Sequence, residues 1–377
     1  MKINLDDCGL HLRFAPLTLT RPVGNLRIGI LTNDERWNTY LHEAEIGFIT
    51  ENYLSSKFKS VENGIRVNAS IIPNEDVVAA VMNLEENTVL YWNDTFVASK
   101  GNEDQKIQFT GQEPIQLTQR WHLYQKNGAV LEQDFDLITA GRKSQKLSNT
   151  NTLIGPSNRL FLEEGAIVEA SILNTTTGAI YVGKDAEIME GSVVRGGLAL
   201  NEHAALKLST KVYGPCTLGP HCKVGGEINN VTFQAYSNKG HDGFLGNASI
   251  GEWCNLGADT NSSNLKNNYG NVSTYSYEQN AEIKTDTQFM GVCMGDHSKC
   301  SINSMFNTAT VVGVSCNIYG ADFPPKFIPS FSWGGSDGFV KFKLNKAIEY
   351  SNNMMNRRGL ELTPEEISIF EYLEKGN

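Results

Sequence analysis

The stretch "IYVGKDAEIMEGSVVRGGLALNEHAALKLSTKVYGPCTLGPHCKVG", residues 180–225, decides the fold. Within it Val182, Ile188, Val194, Leu200, Leu206, Val212, Leu218 and Val224 recur every six residues without a slip. An amphipathic helix repeats its apolar residues three and four apart, and a half-buried strand alternates by two, so a sustained period of six fits neither. It fits a parallel β-helix, in which each flat side takes one inward aliphatic residue and a small residue beside it turns the corner. The spacing resumes at Ile250 and Leu256, and again at Met294, Cys300, Phe306, Val312 and Ile318. Three sides make a coil of about 18 residues, so residues 155 to 320 supply roughly seven coils once an insertion is set aside.

The register is lost twice, between Val224 and Ile250 and between Leu256 and Met294, where the chain is rich in Asn, Ser and Tyr. Insertions in a solenoid become loops on one side, often the binding side. The first 150 residues lack the period and read as an α/β domain. Strands are expected at Ile28–Leu31 and Val89–Trp92, and helices after Thr32 and after Pro73. The passage from Leu131 to Asn151 reads as a helix running into a linker. Beyond Ile318 a Pro/Gly/aromatic exit leads to a helix over "FVKFKLNKAIEYSNNMMNRRG" that ends at Gly359. A second helix follows, with Thr363 as cap, Pro364 in its first position and Glu366 closing a capping box. The expected organisation is an α/β domain with its linker at 1–150, a β-helix at 151–325 and a helical tail at 326–377.

A net charge of -10 argues against broad attraction to nucleic acid or an anionic membrane. Asp6 and Asp7 interrupt the amino terminus before any secretory apolar run, and no segment has the length of a spanning helix, so a cytoplasmic protein is expected. The seven cysteines form no C-x-x-C pair and read as reduced, buried thiols. Six of the seven histidines show no usable pairing.

The seventh, His241, opens "HDGFLGNASIGEWCNLGADTNSSN", residues 241–264. This stretch resembles the acetyltransferase-site signature of the bifunctional N-acetylglucosamine-1-phosphate uridylyltransferase/glucosamine-1-phosphate N-acetyltransferase family. The matching parts are His241, Phe244, Leu245-Gly246, Ile250-Gly251, Asn255, Leu256-Gly257-Ala258 and, on the following loop, Asn264. The resemblance implies a left-handed β-helix of hexapeptide repeats, acetyl-CoA as donor, a homotrimer, and His241 as the general base for the amine of glucosamine 1-phosphate. The chemistry suits a histidine, because an ammonium cannot attack a thioester and an imidazole, with a reference pKa near ~6.5, accepts its proton at neutral pH. Asn255 and Asn264 are then expected to hold hydroxyl, amide or thioester oxygens. Lys239 is expected near the substrate phosphate and Glu227 beside the imidazole. The sequence departs from the signature where Phe244 replaces a tyrosine, losing a hydroxyl, and where Leu265 follows Asn264 in place of a tyrosine; Tyr269 lies close by.

Upstream, "LDDCGLHLRFAPLTLTRPVGNLRIG", residues 5–29, is similar to the phosphate-binding turn of sugar nucleotidyltransferases, retaining Gly9, Arg13 and "PLTLTRP". With the stretches "PLTLTRPVGNLRIGILTNDERW" and "IIPNEDVVAAVMNL", the resemblance extends to an alternative bacterial form of the bifunctional family and covers nearly the whole chain. It implies UTP with Mg²⁺ as cosubstrate and phosphates on Arg13 and Arg21; Asp6 or Asp7, themselves departures from that turn, are read either as Mg²⁺ ligands or as a solvated pair at a strand end. Asp6-Asp7-Cys8 and Val23 stand where that turn usually has small residues and a lysine. Two other readings stay open: a sugar-phosphate nucleotidylyltransferase whose β-helix only oligomerises, and a solenoid without enzymatic activity.

Overall fold

The computed structural model describes residues 1–376. The amino-terminal domain is built on a six-stranded sheet in the order Glu45–Ile49, Lys2–Asp6, Ile65–Asn68, Thr95–Lys100, Thr88–Trp92 and Gln105–Gln108. The first three are mutually parallel, and Thr95–Lys100 then runs antiparallel to both of its neighbours. Helix Asn33–Leu41 starts at Thr32 with a full capping box to Glu35, and helix Glu75–Met82 starts at Asn74, whose side chain accepts from Val77 N. Each cap satisfies an amide that the first turn leaves without a partner.

Ile28–Leu31 is a tight turn, not the expected strand. Gly29 takes φ +69°, and the amides of Ile30 and Leu31 both donate to Asp134 Oδ2 at 2.8 and 3.1 Å. Asp134 sits on helix Asn127–Thr139 and also receives Arg36 through Nε at 2.6 Å and Nη2 at 2.7 Å, with both side chains 0% exposed. The apolar run thus wraps a buried ion pair.

The β-helix begins at Thr152–Ile154 and continues to Ser332–Gly335, so its last coil passes the expected boundary at 325. Its third face is a 10-stranded sheet, nine strands parallel and the last, Gly338–Lys341, turned back antiparallel. The expected helix over "FVKFKLNKAIEYSNNMMNRRG" therefore begins only at Leu344. The eight residues of the six-residue register are all interior, at 0–1% exposure. Corners are turned by one left-handed residue each, as at His297, Asn303, Ala309 and Ser315, with φ between +54° and +61°. A non-glycine residue there costs roughly 1–2 kcal/mol, which the stacked interior offsets.

The first break in register is a change of coil length. Two seven-residue strands, Glu227–Phe233 and Phe244–Ile250, each span the first and second faces, bending between them at Asn230 and Asn247, which take φ +52° and +47°. The second break is an insertion whose hairpin, Ser273–Ser276 with Ala281–Lys284, lies against the amino-terminal domain. Arg120 Nη2 donates to Thr274 Oγ1 at 2.8 Å and to Tyr275 O, and Tyr124 Oη donates to Phe289 O at 2.8 Å. The insertion is thus a strap between domains.

The amino-terminal domain rests on the second face. Thr217 Oγ1 donates to Gly29 O at 2.6 Å, Gln234 bonds both N–H and C=O of Arg27, and Cys293 joins the domain's own core. Helices Leu344–Met355 and Pro364–Lys375 cover the adjoining corner, where His203, His221, Tyr236, Trp253 and His297 stack coil upon coil with centroids 4.2–6.4 Å apart. Thr363 and Glu366 form the expected capping box.

His297 is buried and its pKa lies well below the usual value, chiefly through desolvation and then Lys299; burial likewise holds His122 at about 4. Both stay neutral in the fold, whereas the unfolded chain takes up their protons below about pH 6.5. The unfolded state then binds more protons, so stability is full above pH 6.5 and falls as pH drops toward 4. Urea midpoints at pH 7 and pH 5 should show this decline, and His297→Phe should flatten it.

Candidate functional site

His241 lies on the exposed corner formed by residues 240–243, between third-face strand Asn238–Lys239 and first-face strand Phe244–Ile250. Three residues on, Phe244 is half-buried and its N–H donates to Asn261 Oδ1 at 2.8 Å. Gly246 is required beside it. A Cβ there would lie 2.6 Å from Phe244 Cζ and 2.7 Å from Asn264 Nδ2, so this glycine lets the ring and the amide converge over bare backbone. Asn264 Nδ2 donates to Asn247 Oδ1 at 2.8 Å, which orients the amide. Asn255 stands exposed on the third face, in register with Asn238 and Lys299. The corner thus has Phe244 and Asn264 on its first-face side and Asn255 on its third-face side. Tyr269 is 69% exposed on the insertion, and Glu227 accepts from the Tyr213 hydroxyl at 2.5 Å, one strand from Phe244.

Three expectations are corrected here. Lys239 is 0% exposed and occupies the interior column between Val224 and Leu256; its Nζ donates to the carbonyls of Gly225, His241 and Asp242 at 3.3, 2.9 and 3.1 Å. No hydrogen of that ammonium is left for a substrate phosphate. Burial pushes its pKa down to about 8, with Asp242 and Asp259 opposing.

Arg21 is buried between the domains. Nη1 donates to Glu252 at 2.6 Å and Nη2 to Asp296 at 2.5 Å, while Thr20 Oγ1 adds a bond to Asp296 at 2.7 Å. It is a clamp from "PLTLTRP" onto the β-helix, out of reach of a nucleotide. Arg21→Met should cost about 3–5 kcal/mol, since Asp296, 4% exposed, is left an uncompensated buried charge. Chemical denaturation of the full chain measures this directly. Arg13, by contrast, is 38% exposed and pairs with Glu278 of the insertion at 3.0 Å.

The acidic pair at the end of the first strand does not fit a metal. Asp6 accepts from Cys8 N at 2.6 Å and Arg66 Nε at 2.5 Å. Asp7 accepts from Val23 N, the Thr50 hydroxyl and His11. Among the described residues no group of three acidic, His or Cys side chains is placed to hold an ion. A groove of about 560 Å³ in this domain lies elsewhere, lined by Trp92, Ile115, Gln116, Gln125 and Lys126 among others. Six of the seven cysteines are buried and all seven are free, as expected. No helix among the described residues is long and apolar enough to cross a membrane.

Residues 3–143 match the family model described as sugar nucleotidyl transferase. The amino-terminal domain is thus similar to sugar nucleotidyl transferases. Among curated proteins, "Bifunctional protein GlmU" of Trichodesmium erythraeum (strain IMS101) is 26% identical over 149 residues, 39% of this chain and 25% of the relative. The match thus spans about a quarter of that relative's length. Solved structures similar to this chain include the polySia specific acetyltransferase NeuO (9% identity, 51% of this chain and 82% of that one, TM-score 0.27). Another is Arabidopsis UDP-N-acetylglucosamine acyltransferase (12% identity, 56% and 74%, TM-score 0.23). A domain similar to sugar nucleotidyl transferases followed by a parallel β-helix fits a divergent form of the bifunctional family, and sugar-nucleotide metabolism in general.

The sequence held no local sign of the Arg21 clamp, whose partners lie 231 and 275 residues away. The aromatic ladder did leave a trace, at the coil-length intervals separating His203, His221, Tyr236 and Trp253.

Proposed function

We propose that the chain is an amino-sugar-phosphate N-acetyltransferase of UDP-N-acetylglucosamine biosynthesis, acting in the cytoplasm with acetyl-CoA as donor. The observation that carries this reading is the exposed corner of His241, flanked by Phe244, Asn264 and Asn255 on the side of the β-helix that the amino-terminal domain leaves bare. His241 takes a proton from the amine of glucosamine 1-phosphate as its nitrogen attacks the thioester carbonyl. The C–N bond forms, the C–S bond breaks, and the proton passes to the departing CoA thiolate. Asn264 and Asn255 supply neutral donors to the sugar and the thioester oxygen, and Phe244 offers a ring edge to the sugar without the hydroxyl that a tyrosine would add. A homotrimer suits the three-sided cross-section, with the bare corner of one copy facing the next. Leu208 and Ile302, on the same line of corners, are 64% and 65% exposed and available for such contact.

A second step, uridylyl transfer from UTP, is supported by the family match over residues 3–143 and by the 560 Å³ groove. Arg21 and the Asp6-Asp7 pair do not serve it.

The pure protein, given glucosamine 1-phosphate and acetyl-CoA, should release CoA. Silence across a panel of amino-sugar phosphates would overturn the acetyltransferase reading. Pyrophosphate release from UTP and N-acetylglucosamine 1-phosphate tests the second step separately.

A further inference from the structure

Lys239 replaces an aliphatic residue in the interior column of the third face, where Ile188, Leu206 and Val224 precede it and Leu256, Cys300 and Ile318 follow. The coil leading into it explains why. Leu206 and Val224 are 18 positions apart, but Val224 and Lys239 only 15, and the corner between third and first faces shrinks to Gly225-Gly226. The four-residue corner carrying His241 therefore overhangs a two-residue corner. The two are in close contact, since a Cβ on Gly226 would lie 2.7 Å from Gly243 O and 3.0 Å from Asp242 Cα.

Such a mismatch removes backbone N–H groups from one side of the gap, and the inward carbonyls need other donors. An ammonium supplies three on a flexible stem. Lys239 Nζ spends them on Gly225 O from the short corner and on His241 O and Asp242 O from the long one. Along the axis, Asp259 N of the following coil donates to Asp242 O at 3.0 Å and Glu227 N of the preceding coil to Gly243 O at 3.2 Å, so the corner is also held by both neighbouring coils.

We infer that Lys239 is a positioning residue for His241: from inside the β-helix it fixes the backbone that carries the imidazole, and so sets where that imidazole reaches the substrate amine. This rests on the reading of His241 as the base. It differs from a packing role, for which methionine would serve as well or better in an aliphatic column. A displacement of about 1 Å at a reacting group costs on the order of 10²-fold in rate.

The test compares native protein, Lys239→Met and Lys239→Gln by steady-state kinetics and amide hydrogen exchange, with His241→Ala as control. Lys239→Met should keep the KM for acetyl-CoA, lower kcat at least tenfold and speed exchange at least tenfold at Glu227 and Asp259, whose N–H groups donate to the corner's carbonyls, leaving exchange of the aliphatic column unchanged. Lys239→Gln, which retains two donors, should fall between, and it carries the test if the methionine variant does not fold. A kcat within twofold of native, or a lowered kcat with exchange at Glu227 and Asp259 unchanged, overturns the inference. If His241→Ala is as active as the native protein, the acetyl-transfer reading fails instead, and exchange at those two amides alone still decides whether Lys239 holds the loop.

Discussion

His241→Ala should lower kcat for acetyl transfer by about 10²–10⁴-fold, the usual worth of a positioned general base. KM for acetyl-CoA should move little, because the loss concerns a proton transferred in the transition state and not the binding of the donor. The substitution removes an exposed side chain from a corner whose hydrogen bonds are made by backbone and by Lys239, so thermal unfolding should match the native protein. Added imidazole should restore part of the rate, since the corner is open to solvent and the vacated volume is that of the added base. CoA release followed at saturating substrate, with and without imidazole, gives all of these numbers in one assay series.

Asp134→Ala should destabilise the fold by about 3–5 kcal/mol, the cost of breaking a fully buried ion pair from one side. It strands Arg36, which is 0% exposed, and removes the acceptor for the amides of Ile30 and Leu31. Against a typical total of about 5–15 kcal/mol this leaves little margin. The turn at Gly29 also carries the Thr217 contact, so the loss should reach the docking of the domain onto the β-helix. Urea unfolding followed by far-ultraviolet circular dichroism, with Asp134→Asn as the milder comparison, measures the effect.

What was legible in the sequence followed from repetition and from local chemistry. Eight aliphatic residues at a fixed interval require a fixed geometry, and all eight are interior. Thr32, Asn74 and Thr363 announce helices because a cap is satisfied within three residues. Lys239 escapes such a reading because a search in steps of six loses phase across coils of 15 and 17 residues, and a lysine does not look like a core residue. Ile28–Leu31 misleads because three aliphatic residues with a glycine among them satisfy a strand pattern, while the carboxylate that bends them lies 103 residues away. The grouping of Phe244 and Asn264 could be anticipated from the signature, but not their meeting over Gly246, which depends on where two successive coils come to rest.

The antiparallel strand Gly338–Lys341 at the end of the third face has a bearing on solubility. A column of parallel strands ends in a template that another copy can extend indefinitely, the geometry of a growing fibril. Reversing the final strand breaks that pattern, so a coil of another copy cannot continue the column in the same parallel register.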